Sequence, residues 1–163
     1  MNVVRSIPGR ISGRSVGPAR LLVLALLATL LALPACTVRY VAEYDPRIEE
    51  TSIVLQREMD SFLTSLEIAE LEEDRSYDAR REFYANYAVD LRSLRVRAAA
   101  QPLNDITIQQ LDLMVSSLET LRTLHEEQGE LSDAALGVNR ELFNTAWGAI
   151  LAWESQKKRG KSE

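Results

Sequence analysis

One cysteine and one histidine stand among the 163 residues, and the scarcity of each excludes a chemistry. A single cysteine cannot build an intrachain disulfide, a CxxC redox pair or a cysteine-based zinc site. A single histidine cannot supply the two Glu-x-x-His pairs of a di-iron carboxylate bundle, and Arg122 stands three residues before His125 where that motif needs Glu. Covalent haem requires C-x-x-C-H, which is missing, and Met59 and Met114 read as core filler rather than as axial ligands. Hydroxyl side chains are plentiful, but the lone histidine has no surroundings that pair it with a nucleophile. Strand-like alternation and Asn-Gly hairpin turns are absent as well. The expectation is a helical protein with no cofactor, no metal site and no enzymatic activity, in which His125 is a surface or dipole-facing residue near a helix end.

Charge is unevenly spread. The first 35 residues hold Arg5, Arg10, Arg14 and Arg20 and no acidic side chain. Removing those four from the 19 basic residues leaves 15 against 24 acidic ones, so the chain from Cys36 onward has a formal charge of −9. Such a surface repels phosphate backbones and argues against nucleic-acid binding. It also means that attachment to anionic lipid must come from an anchor rather than from a basic patch.

The N-terminal region reads as an export segment. Residues 1–20 are polar, cationic and broken by Gly and Pro, residues 21–33 (LLVLALLATLLAL) form an apolar run, and Pro34-Ala35-Cys36 closes the segment. This is the order of a signal peptide. An apolar run of about 13 residues falls short of the roughly 20 that a helix needs to cross a bilayer core, so cleavage is expected rather than a permanent span. Leu33-Pro34-Ala35-Cys36 resembles the lipobox of bacterial lipoproteins, with Pro34 where that class more often has a small or β-branched residue. The resemblance covers residues 1–36. It implies a diacylglyceryl group on the Cys36 sulfur, cleavage just before that residue and acylation of the new amino terminus. It also implies that Thr37, not being Asp, directs the protein to the outer membrane, facing the periplasm. An ordinary secreted protein with Cys36 as a free or dimer-forming thiol is the alternative.

Beyond Cys36 a tether, residues 36–44, has no Gly-rich or Pro-rich stretch, so the following domain must sit close to the lipid. Four helical periodicities follow over 45–157, with a polar tail at 158–163. The first is expected from Asp45 to Asp74, with Asp45 as cap, Pro46 in the first turn and a stripe of Ile48, Ser52, Leu55, Met59, Phe62, Leu66 and Ala69. The second runs from Ser76 to Gln101, stopped by Pro102, with Tyr77, Arg80, Tyr84, Tyr87, Leu91, Leu94 and Ala98. The third, from Asn104 or Asp105 to Gln128, carries Ile108, Leu111, Met114, Val115, Leu118, Leu121 and Leu124 and ends at Gly129. The fourth starts at Ser132, with Leu131 and Leu136 spaced as a hydrophobic staple and a stripe of Leu136, Asn139, Phe143, Ala146, Ile150 and Trp153. Short links between long helices predict an all-α, up-down-up-down four-helix bundle after the signal peptide. A three-helix coiled coil, or assembly between chains, is the structural alternative.

Two surfaces stand out as candidates for binding. Glu70, Glu72, Glu73 and Asp74 form an acidic cluster, read as a solvated corner paired with Arg75, Arg80 and Arg81 because it lacks the ordered alternation and glycine of an EF-hand loop. The second helix is arginine-rich, which suits pairing with an acidic first helix. In the sharper reading, Arg92 and Arg95, with Tyr84 and Tyr87 nearby and Trp147 at the margin of its own stripe, form a partner surface. The functional expectation is a membrane-anchored envelope lipoprotein, held by acyl chains on Cys36, that acts as an accessory or scaffold for a protein partner. A small-ligand-binding or sensory bundle in the periplasm is the alternative.

Overall fold

A computed structural model describes Ala19, Leu22 and residues 41–160. The expected signal peptide apart from Ala19 and Leu22, residues 36–40 of the tether including the lipidation residue Cys36, and residues 161–163 of the tail lie outside the described residues. The chain divides into two units, Met1–Val38 and Arg39–Glu163. In the first, Ala19 and Leu22 are helical. In the second, the described residues form helices and no strand: α1 (Pro46–Glu67), α2 (Glu72–Arg75), α3 (Tyr77–Ala99), α4 (Asp105–Gln128) and α5 (Asp133–Gly160).

The punctuation read in the sequence acts as the local chemistry requires. Asp45 caps α1 by accepting the Arg47 N–H at 3.0 Å, and Pro46 occupies the first turn, where no N–H is needed. Ser76 and Ser132 cap α3 and α5 by accepting the N–H groups of Ala79 and Ala135, each at 3.3 Å. Gly129 ends α4 at φ 76°, a backbone region that L side chains resist. Ser52, the polar member of the α1 stripe, is fully buried and donates to the Ile48 carbonyl one turn back at 2.7 Å, so its hydroxyl is satisfied within its own helix.

The expected first helix is too long. It stops at Glu67, and after the link 68–71 the chain makes only the single turn α2 before Ser76 starts α3. Past Leu66 the large apolar residues, Ile68 and Leu71, are exposed and Ala69 is only partly covered, so little apolar burial rewards a longer helix. Glu67, Glu70, Glu72 and Glu73 would also load negative charge onto the negative end of the helix dipole. At the other terminus the helix outruns expectation: α5 continues to Gly160 instead of giving way to a tail after 157, because Lys157 is buried and Lys158 reaches Glu49 on α1 at 3.3 Å.

The four long helices form a helical bundle. α1 packs most extensively on α5 and α3 on α4, with lighter α1–α3 and α4–α5 contacts. Side-chain contacts set the early part of α1 against the late part of α5 and the reverse: Glu49 meets Lys158, Gln56 meets Asn144 and Glu67 meets Arg140. Arg95 meets Asp112 and Tyr84 meets His125 across α3–α4, Tyr87 meets Leu55 across α1–α3, and Thr107 meets Glu154 across α4–α5. Leu63, Leu91, Leu111, Met114, Phe143 and Ile150 are among the buried side chains of one continuous core.

The tryptophans exchange the roles expected of them. Trp147 is fully buried, whereas Trp153 is only half-buried, so Trp147 cannot offer a partner surface. The reason lies in two charged residues. The buried face of α5 runs Phe143, Trp147, Ile150, Glu154 and Lys157 in steps of four and three; leaving Glu154 and Lys157 out of a stripe because of their charge rotates it toward Trp153. Trp147 Nε1 donates to the Tyr87 hydroxyl at 3.1 Å, which donates in turn to the Leu55 carbonyl at 3.0 Å. The indole N–H and phenol are thus satisfied deep in the core, tying α5, α3 and α1 together. Burial pushes the Tyr87 and Tyr84 hydroxyls well above their ordinary pKa, so both remain neutral donors.

Candidate functional site

The expected arginine surface is dispersed by the fold. Arg95 forms a two-point ion pair with Asp112 of α4, its Nη2 lying 3.0 Å from the second carboxylate oxygen. This pairing holds Asp112 below the usual carboxylate range. Arg92 is exposed on α3, while Tyr84 and Tyr87, expected near both arginines, turn into the core. Charge pairing between α1 and α3 is limited to the start of α1, where Arg97 Nη2 stands 2.7 Å from Asp45. At the acidic corner Arg75 turns to Asp133 and the Leu131 carbonyl, both at 3.0 Å, while Arg80 Nε donates to the Asp74 carbonyl at 2.7 Å.

His125 is not a surface residue. It is fully buried, with Nδ1 2.9 Å from the Tyr84 hydroxyl and Nε2 2.8 Å from the Arg75 carbonyl. A carbonyl only accepts, so Nε2 carries the proton and donates, and Nδ1 accepts from the tyrosine. Burial lowers the pKa of His125 below that of a free imidazole. Both nitrogens are occupied, which leaves no lone pair for a metal or a reacting group.

The opposite end of the bundle holds a charged cluster that the sequence pattern concealed. Lys157 Nζ donates to Asn104 Oδ1 at 2.6 Å, to Thr107 Oγ1 at 2.9 Å and to Glu154 Oε1 at 2.6 Å. Thr107 donates to the same Glu154 oxygen at 2.9 Å, and Asn104 Nδ2 donates to the Ala98 carbonyl at 2.9 Å. Glu154 and Thr107 are fully buried and Lys157 is 7% exposed. All three ammonium protons are used, so the lysine serves as a structural cation rather than a nucleophile. The second Glu154 oxygen, Oε2, is buried and finds no hydrogen-bond partner among the described residues. The cluster locks the end of α5 onto the α3–α4 turn, and the lead-in segment crosses the same end, where Ala42 N–H donates to the Leu103 carbonyl at 3.1 Å.

An open groove lies between α1 and α3, one of the two sides on which the bundle packs lightly. A groove of about 850 Å³ has Phe62 and Phe83 in its floor, their rings stacked with centroids 3.8 Å apart. Val54, half-exposed, forms part of its wall. Arg57, Glu58, Glu82 and Asp90 stand exposed on its rims, and among the described residues no ion pair holds any of them. Toward the tether end it is followed by a second depression of about 450 Å³ that shares Val54, Glu58 and Asp90. A pocket on the α4 surface around Thr120 has no comparable aromatic floor. The period-based reading missed this groove because Phe83 and Val54 sit beside their stripes rather than on them.

Among the described residues no three His, Cys, Asp or Glu side chains converge as a metal site would require, and no helix is long and apolar enough to cross a membrane. The chain matches no protein-family model, no curated protein and no solved structure.

Proposed function

We propose that the chain is the precursor of an envelope lipoprotein, anchored through acyl groups on Cys36, whose up-down-up-down four-helix bundle is a non-enzymatic scaffold that binds a protein partner in the α1–α3 groove. The signal-peptide order ending at the chain's sole cysteine supports the anchor, and Thr37 supports the outer membrane, facing the periplasm. Several acyl chains, at about 0.8 kcal/mol per buried CH₂, hold a protein where one chain is marginal.

The observation that carries the binding role is the aromatic-floored groove with unpaired rim charges. Its occupant is a helical or extended segment of a protein, with an apolar side chain for the Phe62–Phe83 floor and a cation for Glu58 and Asp90. A small-ligand or sensory role would call for an enclosed chamber with convergent polar groups. The depressions found among the described residues open on solvent, which favours a macromolecular partner.

The anchor is tested by Cys36→Ser, which releases the protein from the membrane fraction; retention of the unlipidated variant contradicts the reading. The groove is tested by photo-crosslinking in intact cells from a benzophenone at Val54. A discrete protein adduct is expected there, absent from Leu113 on exposed α4 surface and lost with Glu58→Arg and Asp90→Arg. Equal adducts from both positions, indifferent to charge reversal, would exclude the groove.

A further inference from the structure

The end of the bundle from which the tether leaves has a backbone that is strained to present a greasy side chain. Leu103, in the α3–α4 turn, has φ 64°, the only positive value at a non-glycine among the described residues, and its side chain is 53% exposed. An L-residue with a bulky side chain resists this conformation, and glycine would adopt it freely. With about half of its surface left in water, Leu103 gains little packing in return, which marks it as a candidate for an external contact.

Leu103 is not alone. The Ala42 N–H holds the Leu103 carbonyl at 3.1 Å, which sets the lead-in segment against the turn, and Val41 and Leu103 share the wall of a depression of about 420 Å³. Ile106, on the first turn of α4, is 47% exposed, and Val41 is 38% exposed. The Lys157 cluster stiffens the ground beneath them by tying Asn104 and Thr107 to α5. Charge at this end is close to balanced. Asp45 is held by Arg97 and Glu49 by Lys158, with Arg47 and Arg159 set against Glu43, Glu50 and Asp105, so the apolar side chains are the distinguishing feature.

We infer that this end is a membrane-contacting face: Val41, Leu103 and Ile106 enter the headgroup–acyl boundary of the bilayer that holds the protein's own lipid. The inference rests on the anchor reading, and chain length selects the occupant. Five residue steps separate Cys36 from Val41, and at about 3.3–3.6 Å each they span at most about 18 Å. A bundle tethered so closely through this end keeps it within reach of the lipid surface, and exposed apolar side chains there lower their free energy by leaving water. The far end also exposes Ile68 and Leu71, but it lies beyond long helices and is ringed by Glu67, Glu70, Glu73 and Asp74. The bundle then stands on the membrane with the α1–α3 groove open sideways, at a fixed height above the lipid.

The test uses the processed, acylated protein purified from membranes and reconstituted into phosphatidylethanolamine–phosphatidylglycerol vesicles. A bimane is attached through Leu103→Cys, through Ile106→Cys in a separate variant, or through Ile68→Cys at the far end. Brominated lipid should quench the labels at 103 and 106 several-fold more than the label at 68. Equal, weak quenching at all three positions in protein that still floats with the vesicles overturns the membrane face while leaving the anchor intact. Labelling of two thiols per chain, with Cys36 reacting, overturns the anchor and with it the face. Agreement between the 103 and 106 labels guards against a local effect of either substitution.

Discussion

The two ends of the bundle close over buried polar groups in different ways. At the tether end a complete ion pair, Lys157 with Glu154, is bracketed by Thr107 and Asn104. At the far end a neutral histidine spans Tyr84 and the Arg75 carbonyl. Both solutions fasten a turn between helices to a helix packed beside it. They differ in what they cost when broken: losing half of an ion pair strands a charge, whereas losing a partner of the imidazole strands a dipole. The stiffer closure lies at the end that we place on the membrane, and the acid-sensitive one lies at the end away from it.

The comparison breaks most decisively at Lys157. Replacing it with Met leaves the buried Glu154 carboxylate without its counter-charge and with the Thr107 hydroxyl as its remaining donor, at an expected loss of about 3–5 kcal/mol. Chemical denaturation should show Lys157→Met with Glu154→Leu regaining part of that loss, because the stranded charge is gone while Asn104 and Thr107 still lack their partners. A double variant as unstable as the single one would mean that the cluster's geometry, rather than its stranded charge, sets the cost.

At the far end the expected effects are smaller. Tyr84→Phe removes the donor to His125 Nδ1 and should cost about 1–3 kcal/mol. The histidine also makes this end sensitive to acid. Its folded pKa lies below the ordinary value, so the unfolded chain takes up the proton first. Stability from this group is complete above about pH 6.5 and is lost as pH falls below that value toward the lowered folded pKa. Urea midpoints at pH 8 and below pH 6 should differ more in the parent than in His125→Gln; identical differences would remove the histidine from the account.

Leu103→Gly sharpens the contrast from the other direction. Relief of the left-handed backbone should raise stability by about 1 kcal/mol in the unacylated domain, since little apolar contact is lost. A fall in the melting temperature would show that the leucine packs within the fold after all. The smallest effect is expected at Arg95→Ala. Its pair with Asp112 lies on an exposed face, where solvent screens such pairs, and denaturation should barely register the change.

Much of this architecture was legible in the sequence because it depends on local rules. Asp45, Ser76, Ser132 and Gly129 punctuate the helices where capping chemistry places them, and the stripes of the second and third helices correspond to buried faces. The failures are specific. The residue pattern of the first helix continues through 68–71, but Ile68 and Leu71 there are exposed and Ala69 is only partly covered. Periodicity sends His125 outward and leaves Glu154 and Lys157 off the last stripe, because isolated polar side chains belong in water. Each is buried here only because a partner from another helix or the neighbouring turn meets it, and no single-segment pattern contains that partner. Trp147 followed Glu154 and Lys157, since omitting them turned the stripe away from it.

By itself the sequence determined that this is a helical chain, acidic after its cationic first segment, with its only cysteine where an export and lipidation signal would end. Those properties reside in composition, hydrophobic periodicity and motif order, which are fixed before the chain folds. Tertiary structure alone decided which polar groups are interior, that Arg95 is bound by Asp112, that α1 and α3 leave an aromatic-floored groove, and that Leu103 is held in strain beside the tether. The physical reason is that burial and pairing belong to side chains from different helices, and the free energy of each depends on a neighbour that the linear order does not name.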